Sequence, residues 1–384
     1  MKYAVVGFGT AGYHAVKKIR ELDKEGCIDV YSNTGRAPYN PMLTTYYAFG
    51  KLEYEGMFPF GDLEQIQKEV DFNLRREQVI KVHGSEHLVE TENGSEQYDR
   101  ILIATGARAF APPVKGLEPE DAFLMRTVED ALRFKDRLKK NDIKHAVVIG
   151  ASMAGIKVVE VLHKYGIETW LLDLASYIFP LAAYKEVAKE IEKRVEAQGV
   201  HLMFGVTIDH MEQENGEKTA VLTDGSRIPA DIVGLCIGTR AITETVQGEV
   251  EIGRGIVVDD HMRTSVPGIY AAGDCCEGNN LESGQNQIIG LWANANHQGE
   301  TAGINMAGGD MAYKGNILHN ITHFMNMDFI GFGDNRMQGE VLEYGSLSED
   351  LYIRLVLDGK RIVGANILDN YRVSGIIKNY MLRL

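Results

Sequence analysis

Along the chain, short runs of wholly apolar residues alternate with stretches in which apolar positions recur every three or four residues. Tyr3-Ala4-Val5-Val6 predicts a buried strand, Tyr13 to Arg20 has helical spacing, and Ile28-Asp29-Val30-Tyr31 predicts a second short strand. The same order returns later. Ala146-Val147-Val148-Ile149 predicts a strand, Val158, Val159, Val161 and Leu162 mark a helix, and Glu168-Thr169-Trp170-Leu171-Leu172 predicts a strand that ends at Asp173. Each time the strand and helix are joined by a turn of small residues, Gly7-Phe8-Gly9-Thr10-Ala11-Gly12 and Gly150-Ala151-Ser152-Met153-Ala154-Gly155.

Strand, glycine turn, helix and strand make the unit that binds a dinucleotide. In the first copy Gly7 permits the tight turn, Gly9 lets backbone approach a pyrophosphate, and Gly12 lets the helix pack on the strand. The amides of Thr10, Ala11 and Gly12 then face the anion. An acid is expected on the ribose about 20 residues on. The first copy offers Ser32-Asn33-Thr34 instead, with Asn33 as the candidate ribose contact and Arg36 close by for the adenosine half. In the second copy Gly150, Ala154 and Gly155 take the equivalent roles, Ser152 replaces the middle glycine, and Asp173 stands 23 positions after Gly150. Leu174 follows where an arginine would suit a 2′-phosphate, which favours NADH over NADPH.

Two hairpin-bearing excursions are expected at 88–99 and 216–230, with turns at Glu92-Asn93-Gly94 and Thr223-Asp224-Gly225. In the tail, Asp350 to Leu357, a turn at Asp358-Gly359, and Ile362 to Ile367 predict a hairpin in a small α+β domain. Composition narrows the picture further. With 40 basic against 54 acidic residues the net charge is −14, which argues against nucleic-acid binding through counterion release. No apolar run approaches the roughly 18 residues of a membrane span. The four cysteines are too few for a disulfide framework, and with Met1-Lys2 leading straight into the first strand no signal sequence is expected. A cytoplasmic location is the expectation.

Two further apolar runs end in small-residue turns: Tyr98 to Ile103 followed by Ala104-Thr105-Gly106, and Ile269-Tyr270-Ala271-Ala272-Gly273-Asp274. With the two glycine loops, in this order, they resemble the pyridine nucleotide–disulfide oxidoreductases. The likeness covers roughly residues 1–310 and is closest to the rubredoxin-reductase, ferredoxin-reductase and NADH-oxidase branch. The fold class implied is α/β, with two Rossmann-like domains for FAD and NAD and a small C-terminal α+β domain. The FAD domain would comprise 1–111 and 243–310, the NAD(P)H domain 112–242, and the C-terminal domain 311–384. The resemblance further implies that Gly7, Gly9 and Gly12 bind the FAD pyrophosphate and that Ala104-Thr105-Gly106 lies against FAD. It gives Arg126 an FAD contact, Gly273-Asp274 the ribityl chain, and backbone near Val82 the adenine. Pro38-Tyr39-Asn40-Pro41 would pass beside the isoalloxazine, and the helix that begins near Trp292 would face it. Gly238, in Ile237-Gly238-Thr239, would belong to the NAD site.

The disulfide branch of that family uses a cysteine near the flavin, yet residues 38–50 contain none. Cys27 and Cys236 are expected as small core residues. Cys275-Cys276 is either a vicinal pair with redox capacity or two small residues at a helix start, and the latter is favoured. His319 and His323 lack the glutamate of a zinc-protease motif, so no metal is expected. In the ferredoxin-reductase branch a Lys–Glu pair lies near the nicotinamide, and Thr45 and Lys157 occupy the matching places here. Lys157 is therefore the candidate catalytic residue, facing the gap between the cofactors. The bland alternative is a surface lysine paired with Glu160. The activity implied is transfer of a hydride from NADH to FAD, then of electrons to a small redox protein such as rubredoxin or ferredoxin. Dioxygen or a small organic acceptor is the alternative, as is an electron-transfer subunit of a larger complex. A homodimer is open.

Overall fold

The structure is a computed structural model, and it describes residues 1–347 and 351–382. By contacts the chain divides into two compact units. One comprises Met1–Asn40, Tyr54–Arg108 and Arg240–Asn316, and the other Pro41–Glu53, Ala109–Thr239 and Ile317–Leu384. Residues 41–53 and the tail thus group with 109–239, whereas the sequence reading keeps 41–53 with the first domain and sets 311–384 apart.

The first unit is built on a parallel sheet whose central strand is Lys2–Val6. Cys27–Tyr31 and then Asn73–Arg75 lie to one side of it, and Arg100–Ile103 and then Ile269–Ala271 to the other. Its core includes Tyr3, Val5, Ile19, Ile28, Ile101 and Leu102, all fully buried. Helix Thr10–Leu22 buries Tyr13, Ala15, Val16 and Ile19 and packs along helix Trp292–Met306. Small residues make this packing close. A Cβ at Gly299 or at Gly303 would fall on the backbone of Ala11 or Ala15 respectively.

The second unit repeats the plan. Its central strand is His145–Ile149, flanked by Glu168–Asp173 and His201–Phe204 on one side and by Ile232–Leu235 and Ala122–Phe123 on the other, all parallel. Each unit also carries a three-stranded antiparallel meander, Val79–His83, Leu88–Thr91 and Gly94–Gln97 in the first and Ile208–Glu214, Glu217–Leu222 and Arg227–Pro229 in the second. The two turns foreseen from glycine fall inside these meanders. Gly94 and Gly225 both have positive φ, at 136° and 85°.

The tail adds a five-stranded antiparallel sheet and the helix Ser374–Leu382 to the second unit. The expected hairpin is its pair Tyr352–Asp358 and Arg361–Leu368, while Asp350 lies outside the described residues. His319 and His323 sit on one strand, His319–Phe324, where four residues span about 13 Å rather than one helical turn. No helix among the described residues is long and apolar enough to cross a membrane.

Two tests follow from this packing. Gly299→Ala puts a methyl group onto the Ala11 backbone, and the expected cost is about 3 kcal/mol, read as a lower denaturation midpoint. His319 is half-buried with its Nε2 3.2 Å from the Lys378 ammonium. Burial first, and the Lys378 charge second, push its imidazole down to about 4 from the ordinary 6.5. The unfolded chain therefore binds a proton that the folded chain refuses as pH falls from about 6.5 toward 4, and stability drops over that window. Measured between pH 7 and pH 5, His319→Gln should remove about 2 kcal/mol of that acid destabilisation.

Candidate dinucleotide sites

In the first unit the polypeptide turns directly off the central strand. Gly7 adopts a φ of 104°, and its amide donates to the Tyr31 carbonyl at 2.9 Å. A Cβ at Gly12 would fall on the Gly7 carbonyl oxygen, so only glycine lets the helix sit this close to the turn. Gly9 is the N-cap residue, has no capping side chain, and has open space where a Cβ would point. The first-turn amides of Thr10, Ala11 and Gly12 have no acceptor within the helix and stand at the carboxyl edge of a parallel sheet.

Three further segments converge on this edge. The Ala104 amide donates to the Val6 carbonyl at 2.8 Å, and the Thr105 hydroxyl to the Ile242 carbonyl at 2.6 Å, which fixes the Ala104-Thr105-Gly106 turn. Gly273, with φ 87°, comes so near the glycine loop that an added Cβ would lie 3.1 Å from the Ala11 Cβ. The Gln298 side chain braces that turn by accepting from the Gly273 amide at 2.9 Å. Thr10 and Asn296 bond through their side chains and tie the loop to helix Trp292–Met306. At the start of that helix Trp292 stacks on Phe60 with centroids 5.6 Å apart, and its indole N–H is buried without a partner. Open space at Gly9, first-turn amides and an orphaned donor fit a dinucleotide bound along this edge.

The other residues assigned to this cofactor lie on other segments. Asn33 is exposed, one residue beyond the first position after the strand, with its amide nitrogen on the Gln78 carbonyl oxygen at 2.7 Å. Arg36 donates to the Tyr54 hydroxyl at 2.6 Å. Val82 is fully buried in the meander, so any contact it makes with an adenine is through backbone. Pro41 and Arg126 belong to the second unit, where the Arg126 amide is held by Asp130 at 3.1 Å.

The second cradle repeats the first. Gly150 has φ 104° and donates to the Leu172 carbonyl at 2.7 Å, and a Cβ at Gly155 would fall on the Gly150 carbonyl oxygen. Ser152 is the N-cap of helix Met153–Lys164. Its hydroxyl accepts from the Gly155 amide at 3.2 Å and donates to the Cys236 carbonyl at 3.0 Å. The substitution for glycine thus supplies a cap the first loop lacks. Ala154 is exposed in the first turn, and Gly238, with φ 103°, has open space where a Cβ would point. Asp173 ends its strand with one carboxylate oxygen accepting from Ala151 at 2.7 Å and the other from Ala175 at 2.8 Å. Leu174 beside it is 69% exposed. A carboxylate held in place by two amides fits the hydroxyls of a ribose.

Lys157 is neither a surface residue nor an open cation. It is 3% exposed, its ammonium pairs with Glu160 and donates to the His323 carbonyl at 2.8 Å, and it lies 4.6 Å from the centre of the Tyr46 ring. Burial pushes its pKa down, while bonds from Lys157 and Lys51 overcome burial and hold Glu160 below the usual carboxylate range. Such a group is not available to receive an anionic acceptor. The pairing with Glu160 is as the sequence suggests, and the burial is not. Cys27 is exposed at the start of its strand rather than in the core, whereas Cys236 is buried. Cys275 and Cys276 are both free and buried, their thiols donating to the Ile103, Ala272 and Gly273 carbonyls at 3.3–3.4 Å.

Comparisons with known proteins bear on the family and the fold. The family model described as pyridine nucleotide-disulphide oxidoreductase matches residues 1–299. The chain is 27% identical to the NADH-dependent phenylglyoxylate dehydrogenase subunit epsilon of Aromatoleum evansii, over 100% of this chain and 91% of that one. It is 28% identical to the ferredoxin–NAD(+) reductase component of the 3-phenylpropionate/cinnamic acid dioxygenase of Photorhabdus laumondii, over 80% and 77%. Among solved structures it resembles the water-forming NADH oxidase from Lactobacillus brevis bound to NADH, with a TM-score of 0.90 at 24% identity over 99% of this chain and 89% of that one. The expected α/β architecture with two Rossmann-like folds holds, and the chain belongs to the pyridine nucleotide-disulphide oxidoreductases, flavoprotein oxidoreductases that use FAD and NAD(P)H.

Proposed function

We propose that the chain takes electrons from NADH onto a resident FAD and delivers them to a small redox protein without a cysteine relay. The carrying observation is the pair of glycine cradles, of which only the second ends in a carboxylate, Asp173. The first cradle, with Gly7, Gly9, Thr10, Ala11 and Gly12, would hold the FAD pyrophosphate on its helix amides. Ala104-Thr105-Gly106, Gly273-Asp274 and Trp292 would line the rest of the flavin. Gly150, Ser152, Ala154, Gly155 and Gly238 would hold the nicotinamide dinucleotide, with Asp173 on its ribose. When bound, the flavin supplies the redox chemistry, since it accepts two electrons together and can release them singly. The protein's share is orientation and exclusion of water.

Residues 38–50 hold no cysteine, which supports delivery without a thiol intermediate. The ferredoxin–NAD(+) reductase relative supports a ferredoxin-like acceptor. A second reading has its own support. The Aromatoleum relative is matched over the whole of this chain and is named a subunit. On that reading the chain would feed or drain a larger dehydrogenase. Dioxygen is the third acceptor to be compared.

Anaerobic mixing with NADH and then NADPH tests the cofactor assignment. The flavin absorbance should bleach at least about tenfold faster with NADH, because a carboxylate at Asp173 repels a 2′-phosphate and Leu174 offers it no cation. Asp173→Ala should weaken NADH about tenfold and narrow that preference. Reoxidation by ferredoxin or rubredoxin faster than by air supports the acceptor class. Turnover with neither, restored by a partner subunit, would favour the second reading.

A further inference from the structure

The two cradles are built to one plan, so each serves as a ruler for the other. Val6 pairs with Tyr31 in the first sheet and Ile149 with Leu172 in the second. The loop glycines confirm that register, since Gly7 donates to Tyr31 and Gly150 to Leu172. The next residue is therefore fixed in both: Ser32 stands where Asp173 stands. Asn33 is one position further, in step with Leu174, and its amide is turned toward Gln78, whose own Nε2 donates to the Val79 carbonyl at 3.1 Å. Ser32 offers a single hydroxyl, 3.3 Å from the Thr34 hydroxyl. From Ser32 to Arg36 there is no carboxylate at all. Arg36 lies in this segment, and the Arg76 side chain packs over Gly35, whose Cβ would lie 3.0 Å from its Nε.

We propose that Ser32, not Asn33, meets the adenosine ribose of the dinucleotide in the first cradle, and that it does so without charge. This rests on the reading that the first cradle binds FAD. Ribose hydroxyls are donors, and a carboxylate accepts from them in charge-assisted bonds roughly twice as strong as neutral ones. A lone serine hydroxyl supplies one neutral bond. The flavin is therefore held less firmly at this end than the nicotinamide nucleotide is by Asp173.

The test is titration of flavin-stripped full-length protein with FAD, followed by quenching of flavin fluorescence. Ser32→Asp, with Ser32→Glu as the second variant for reach, should tighten FAD about tenfold. Asn33→Ala should change it less than twofold. The gain should vanish with an FAD analogue that lacks the adenosine 2′-hydroxyl, a readout that a purely structural effect of the substitution would not move. The assignment is overturned if neither acidic variant tightens FAD, if Asn33→Ala loosens it tenfold, or if the gain persists with the deoxy analogue. Failure of wild type and both variants to bind any FAD would instead overturn the reading of the first cradle, and this inference with it.

Discussion

Each unit depends on one contact: the loop helix rests directly on the turn that leaves the central strand. Gly12 lies over the Gly7 carbonyl and Gly155 over the Gly150 carbonyl with no room for a side chain. That approach fixes where the helix begins, and with it the position of amides that no carbonyl of the helix can satisfy. It also places the positive end of the helix dipole at the carboxyl edge of a parallel sheet. The small residues behind it serve the same end. Gly299 and Gly303 let a second helix press against Ala11 and Ala15, so the loop helix is held from both sides.

Much of this was legible because it is local. A strand, a glycine turn and a helix leave their signature within about 25 residues, and both copies stand where the apolar pattern puts them. What escaped is set by register and tertiary packing. Counting along the chain cannot tell Ser32 from Asn33 as the partner of Asp173, since that depends on which residue pairs with Val6. Nor can a helical pattern reveal that Lys157 is buried, because what covers it is Tyr46 and His323, distant in sequence. Cys27 reads as core from its apolar neighbours, yet it begins a strand and is exposed.

Segment Pro41–Glu53 shows the same lesson through charge. Its short helix Leu43–Phe49 is tied within the second unit by lysines at its C-terminal end, where cations suit a helix dipole. Lys135 donates to the Tyr47 carbonyl at 2.9 Å and Lys164 to that of Phe49. Lys51 bonds to Glu160 at 3.1 Å, and the same carboxylate takes Lys157. Seen in sequence, these are scattered lysines with many exposed partners to choose from. In the fold they form one anchor. Glu160 is thus shared between two lysines, one of them the partner its sequence spacing suggests.

The asymmetry of the two cradles places different demands on the rest of each unit. A dinucleotide in the second can draw on a carboxylate already oriented by two backbone amides, so its ribose end costs little further ordering. On the proposed reading, a dinucleotide in the first would lack such an anchor. The other end of the site would then contribute, through the braced turns at Thr105 and Gly273 and the buried indole of Trp292, whose N–H has no partner among the described residues. An unpaired buried donor is unfavourable until something accepts from it. A ligand that does so would recover that cost, and on the proposed reading the orphaned indole would offset the uncharged ribose end of the first cradle.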